Sequence, residues 1–273
     1  MRFFCTSDTI CPACVVILRS IFKRKETIMK TDQDLLFLAS RPNDELQVLC
    51  DLLTHDRNGE LRLTEQLTGT DAYNRCYPSD MMFLVPDITY ELRKFGSNTI
   101  KTFFHGEPDS YETIVRRVCK QMRVDVDEED DVPTMEHSLL TTFCEDVLGK
   151  LSMRDLRLLA NEYNIPAKNL SRQAIVAALM MALRSGKQLL SRFISYILKS
   201  VLVISATRGV ATAGMETVSR AIGGFAGPIG WIVLSIWTAY DIASPAYRVC
   251  VPAVLQIASM RLEQKALPVH QAC

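Results

Sequence analysis

Residues 221–240, AIGGFAGPIGWIVLSIWTAY, hold no Asp, Glu, Lys or Arg, and Arg220 and Asp241 flank them. Twenty such residues in one helix are enough to cross a bilayer. Gly227-Pro228-Ile229-Gly230 counts against a straight span, because proline removes a backbone donor and its flanking glycines favour a turn. The pattern predicts a helical hairpin: one small-residue helix up to Ala221, a turn over Gly223–Gly230 and a return helix over Trp231–Ser244. Neither limb is comfortably span-length, so the hairpin either sits in one leaflet or closes into a soluble bundle. Six of the twelve glycines fall between Gly209 and Gly230, and Gly223 with Gly227 forms GxxxG. Small residues at that spacing let helices approach closely. Pro245 and Pro252 are expected to break or kink the chain beyond the hairpin.

The segment before the hairpin strengthens this reading. Gln188, Arg192, Ser195 and Lys199 make a narrow polar stripe on an otherwise apolar helix. Such a helix lies deep in a bundle or in a membrane interface with its cations toward the headgroups. Between Val201 and Met260 only Arg208, Glu216, Arg220, Asp241 and Arg248 are charged. The candidate membrane or partner surface is therefore Arg192, Lys199, Gly223, Gly227, Pro228, Trp231 and Trp237. The net charge of zero hides an asymmetry. Residues 151–273 carry 13 Lys+Arg against 5 Asp+Glu, which leaves 18 against 26 of the chain's 31 and 31 for residues 1–150. A basic half that is also the apolar half suits an anionic lipid surface better than nucleic acid.

The acidic half carries the helical period throughout. Asn43 is placed to cap a helix whose apolar face is Leu46, Leu49, Cys50 and Leu53. Asn58-Gly59 marks a chain reversal. Ile88, Leu92 and Phe95 make another face, and Gly96 stands where a helix-ending glycine belongs. Tyr111, Val115, Val118 and Met122 form a third face, and Leu140, Phe143, Cys144 and Val147 a fourth. Between the last two, DVDEEDDVPTME puts Asp125, Asp127, Glu129, Asp131 and Glu136 at calcium-loop positions. Asp130 replaces the required glycine, so the segment reads as a solvated acidic linker. The nine cysteines are scattered and odd in number, which fits a reducing compartment and no disulfide framework. Cys11-Pro-Ala-Cys14 has no second ligand pair and no βαβ surroundings for metal or redox work. Residues 1–29 read as a disordered or mis-assigned leader.

Three blocks carry a resemblance: DQDLLFLASRPNDELQVLCDLLTHDRNGELRL; ITYELRKFGSNTI, with Glu91, Phe95 and Gly96; and YRVCVPAVLQIASMR, with Tyr247, Arg248, Pro252 and Gln256. In order and spacing they resemble the YaaW-like bacterial family, an uncharacterised group, over about Lys30 to Leu262. The resemblance places the chain in a distant grouping with ubiquinol–cytochrome c reductase assembly chaperones. It implies a helical, non-catalytic, membrane-adjacent role and no catalytic residues.

LSMRDLRLLANEYNIPAKNLSRQAIVAALMMAL also looks like the helix-extended-helix DNA modules of the SAP type. Ser152 with Asp155 forms a capping box, and Ser171 can cap the second helix. Only Lys168 and Arg172 lie near that helix, too few for substantial counterion release, so a helical hairpin packed on its neighbours is the better reading. His55, His105, His137 and His270 form no metal pair, and no nucleophile elbow, P-loop or dinucleotide fingerprint is present.

The expectation is an all-α protein: a multi-helix N-terminal domain, then an apolar, Gly/Ala-rich helical region with a helical hairpin. Its parts are a leader (1–29), an acidic helical domain (30–150), a helix-turn-helix connector (151–186), an apolar basic region (187–265) and a tail (266–273). No enzyme activity, cofactor, metal or nucleic-acid partner is expected. The expected partner is an anionic membrane surface, at the cytoplasmic face of the inner membrane, or a protein. The alternative is a soluble, cytoplasmic assembly chaperone or adaptor.

Overall fold

The computed structural model describes residues 32–56, 59–97, 108–166, 169–185 and 245–266, with isolated helical positions between 189 and 236. The fold is all-α, with no strand among the described residues. A 3-10 helix, Gln33–Ser40, leads into α1 (Asn43–Thr54). After a turn comes α2 (Asp71–Cys76), a second 3-10 helix (Met81–Leu84) and α3 (Val85–Gly96). Beyond these lie α4 (Tyr111–Gln121), α5 (Val132–Lys150), α6 (Met153–Glu162), α7 (Arg172–Ser185) and α8 (Pro245–Ala266).

Local chemistry sets most of these boundaries. The hydroxyls of Thr70, Ser110 and Ser152 accept from Tyr73, Thr113 and Asp155 backbone N–H groups at 3.1, 3.3 and 3.2 Å. Asp131 accepts from Thr134 N–H at 2.9 Å, with Pro133 in the first turn of α5. Ser171 accepts from Ala174 N–H at 3.3 Å. Each satisfies a donor that a helix start otherwise leaves unpaired. At the chain reversal Gly59 has φ of 78°, and His55 bridges to Leu61 across it. The predicted apolar faces of α1, α4 and α5 are all buried.

Helix α8 lies at the centre. It packs against α1, α3, α4 and α5, and its apolar residues from Val249 to Met260 are buried on every side. A helix apolar all round belongs inside a protein. Residues 245–266, which hydropathy groups with the apolar half, thus supply the middle of the acidic half's core. The 151–185 hairpin packs α7 on both α6 and α5.

Three local expectations need correction. Asn43 does not cap its own helix. Pro42 holds that position, and the Asn43 amide reaches across to accept from Met81 N–H at 3.1 Å and donate to the Ser79 carbonyl. It therefore secures the start of the second 3-10 helix, 38 residues away, which no local pattern announces. Gly96 is the last helical residue of α3 and not a left-handed terminator, since Ser97 follows in extended conformation. A Cβ at Gly96 would lie 2.6 Å from Cγ1 and Cδ1 of Ile114, so close approach of α4 requires the glycine. Pro252 does not interrupt α8, which continues through it to Ala266. Burial among four helices outweighs an interior proline's cost of about 3 kcal/mol. The hairpin expected over Gly223–Ser244 lies outside the described residues, apart from helical positions at Ile232, Ser235 and Ile236. Among the described residues no helix is long and apolar enough to cross a membrane.

Candidate functional site

Glu136, on the second turn of α5, points into the core with its side chain 3% exposed. Arg261, near the end of α8, reaches it with Nε at 2.5 Å and Nη2 at 3.3 Å. The Tyr111 hydroxyl, at the start of α4, donates to the same carboxylate at 2.8 Å. Arg261 also donates to the Asp34 carbonyl at 2.6 Å and lies over the Phe37 ring, 4.3 Å from its centroid. Five residues from four elements converge here, around a charge that burial alone would not tolerate. Burial pushes the Glu136 carboxyl upward, and Arg261 opposes that shift. Burial, then the neighbouring carboxylate, pushes the Tyr111 hydroxyl well above its ordinary value. General acid–base work needs a group within reach of a substrate proton, and these are enclosed by protein. The arrangement suits fastening α8 to the body.

A second buried pair acts beside it. Asp32 accepts from Tyr111 N–H at 2.8 Å and pairs with Arg93 Nε at 2.7 Å. Arg93 also donates to the carbonyls of Pro108 and Asp109, at 2.7 and 2.9 Å. Near the end of α1, Tyr77 donates to Asp51 at 2.9 Å and accepts from Gln47 at 3.2 Å, and its ring stacks on Tyr73 with centroids 4.7 Å apart. Burial raises Asp51 from 3.8 to about 6.

Among the described residues, five thiols are kept protonated by the same physics. Cys50, Cys76, Cys119, Cys144 and Cys250 are free, and burial raises each of them, Cys119 to about 11 and Cys250 to about 12. A thiol held protonated is a poor nucleophile. Among the described residues no three His, Cys, Asp or Glu are grouped to hold a metal ion. A groove of about 950 Å³ runs between α5 and α7, lined by Gly149, Val176, Ala177, Met180 and Met181, with Arg184 paired to Glu145 at its edge.

The residues singled out in the sequence separate by position. Glu91 is buried and accepts from Gln66 N–H at 3.1 Å, with Lys94 Nζ at 3.8 Å. Phe95 and Tyr247 are half-buried against the core, and Pro252 is enclosed in it. Gln256 is buried on α8 and donates to the Glu45 carbonyl at 3.3 Å. Arg248 and Arg192 are exposed on helices. Lys199, Gly223, Gly227, Pro228, Trp231 and Trp237 lie outside the described residues. Of these motif residues, Gln256 ties α8 to α1, Glu91 ties α3 to the loop before α2, and Arg248 stays at the surface. Sequence reasoning missed Tyr111, Glu136 and Arg261 as a unit. The available signal was Arg261 itself, a charge closing an apolar run from Val249.

Residues 29–63 match a domain of unknown function, DUF3944. A UPF0174 protein of Helicobacter pylori strain J99 is 33% identical over 241 residues, covering 86% of this chain and 92% of that protein. A second, from strain 26695, is 28% identical and is covered completely, over 75% of this chain. UPF0174 protein YaaW of Escherichia coli K12 is 26% identical over 84% of this chain and 94% of its own length. No solved structure matches.

Proposed function

The chain belongs to the UPF0174 family, and on that premise we propose that it is a non-catalytic helical protein that docks on an anionic membrane through residues 186–244. The observation that carries this is the anchoring of both flanks. Before the segment, α7 packs on α5; after it, α8 packs on α5 and is fastened by Arg261 to Glu136. The charge-poor segment therefore lies in sequence between two helices that both pack on α5. Leu190, Phe193, Ile194, Ile197, Leu198 and Ile236 of the segment are buried with the body's core, so it is the charge-poor sequence between Leu198 and Ile236 that supports membrane docking. Exposed Arg192 near the start of the segment supplies a cation for headgroups. Five free cysteines favour the reducing, cytoplasmic side of the membrane.

The test is flotation of the full chain with phosphatidylglycerol-containing vesicles, followed by alkaline carbonate extraction. Membrane docking predicts protein in the floating fraction, and resistance to carbonate if the hairpin is embedded. A second reading is a soluble chaperone or adaptor that holds a partner helix. The groove beside Met180 and Met181 favours it, because methionine-lined grooves adapt to varied apolar helix faces. Protein that stays at the bottom of the gradient would bring that reading forward.

A further inference from the structure

The turn between α1 and α2 exposes two leucines where the fold gives no reason for them. Leu63 is fully exposed and Leu61 is 54% exposed. Arg62 between them is turned inward and donates to the Leu52 carbonyl at 3.4 Å, while its backbone N–H bonds the Thr54 carbonyl at 2.9 Å. The polar residue is thus held against the protein and the apolar pair faces out. Single exposed leucines are ordinary on protein surfaces, but a fixed turn presenting two of them invites a specific contact.

The position of this turn identifies the contact. Helices α1 and α8 run antiparallel: Glu263 meets Arg41 at 3.5 Å, and Gln256 meets the Glu45 carbonyl at 3.3 Å. At a rise of about 1.5 Å per residue in both helices, Cys250 falls level with Leu52, to which Arg62 is bonded. The first turns of α8 and the leucine turn therefore share one end of the molecule. Residues 186–244 rejoin the body at that end, at Pro245. Half-buried Tyr247 and exposed Arg248 come immediately after. An aromatic and a cation at the same end of the molecule as the exposed leucines match the composition of a membrane interface.

We infer that Leu61 and Leu63 form a second lipid contact, dipping into the headgroup–acyl boundary beside the point where the apolar segment returns. This rests on the membrane reading above and adds an orientation to it: the α1 C-terminal end of the body faces the bilayer.

The experiment compares partitioning of three full-length proteins into vesicles of phosphatidylglycerol and phosphatidylethanolamine: wild type, Leu61→Ser with Leu63→Ser, and Met181→Ser. Met181 is 72% exposed but lies on the groove-lining face of α7. The double variant should lose at least about tenfold in partition coefficient, and Met181→Ser should lose less than about twofold. Leu63→Trp guards against a misfolded double variant, since it should partition a few-fold more tightly than wild type. Wild-type protein that ignores these vesicles would remove both the membrane reading and this one. Wild-type binding with unchanged partition of the folded double variant, or of Leu63→Trp, would overturn this inference alone.

Discussion

Replacing Arg261 with methionine isolates the interaction that holds α8 in place. Methionine fills much of the same apolar path but leaves Glu136, 3% exposed, with only the Tyr111 hydroxyl at 2.8 Å. Removing one partner of a buried ion pair costs about 3–5 kcal/mol, because the other charge stays in the core uncompensated. The lost bond to the Asp34 carbonyl and the contact over Phe37 each add about 1 kcal/mol. Part of this is recovered when Glu136 takes up a proton, so about 3–4 kcal/mol is expected at pH 7.5. Burial raises the folded-state value of Glu136 above that of the unfolded chain. Stability of the variant is therefore greatest at low pH and is lost as pH rises through the folded value. Urea denaturation followed by helical circular dichroism at pH 5 and pH 7.5 measures both effects. Adding Glu136→Gln removes the stranded charge and should return the double variant to within about 1–2 kcal/mol of wild type. An Arg261→Met penalty below about 1 kcal/mol that does not change with pH would refute the fastening role.

Gly96→Ala should destabilise by about 1–3 kcal/mol through collision with Ile114, and Ile114→Val in the same chain should recover part of the loss in denaturant titration. Asp51→Asn keeps an acceptor for Tyr77 and removes a carboxyl that burial pushes up to about 6. Its raised value means that wild-type stability falls as pH rises through that value, so the variant should gain about 1 kcal/mol at pH 8 and nothing at pH 4 in thermal melts, after discounting for partial exposure. Arg192→Glu with Lys199→Glu should lower binding to phosphatidylglycerol vesicles by more than about tenfold without changing helicity, and wild-type binding should weaken with salt.

The periodic faces were readable because helical burial repeats in the sequence itself. Leu46 to Leu53, Tyr111 to Met122 and Leu140 to Val147 all face inward as their spacing dictates. The caps at Ser152 and Ser171 were readable because both partners lie within four residues. What escaped is long-range. Asn43 and Met81, Gly96 and Ile114, and Glu136 and Arg261 meet only after the helices pack, and no local pattern encodes the pairing. Glu136 is the sharpest case. Its spacing placed it at the end of an acidic loop, whereas helix α5 begins at Val132 and turns it into the core. Pro252 misled for a related reason: a proline argues against a helix locally, but four surrounding helices decide the matter.

The membrane claim is tested most directly by one flotation measurement. Full-length protein is mixed with vesicles of phosphatidylglycerol and phosphatidylethanolamine, and separately with pure phosphatidylcholine vesicles, at low and high salt. Membrane docking predicts that the protein floats with the anionic vesicles at low salt and is partly released at high salt, with weaker flotation on phosphatidylcholine. Protein that stays at the bottom of every gradient while keeping its helical spectrum would contradict it.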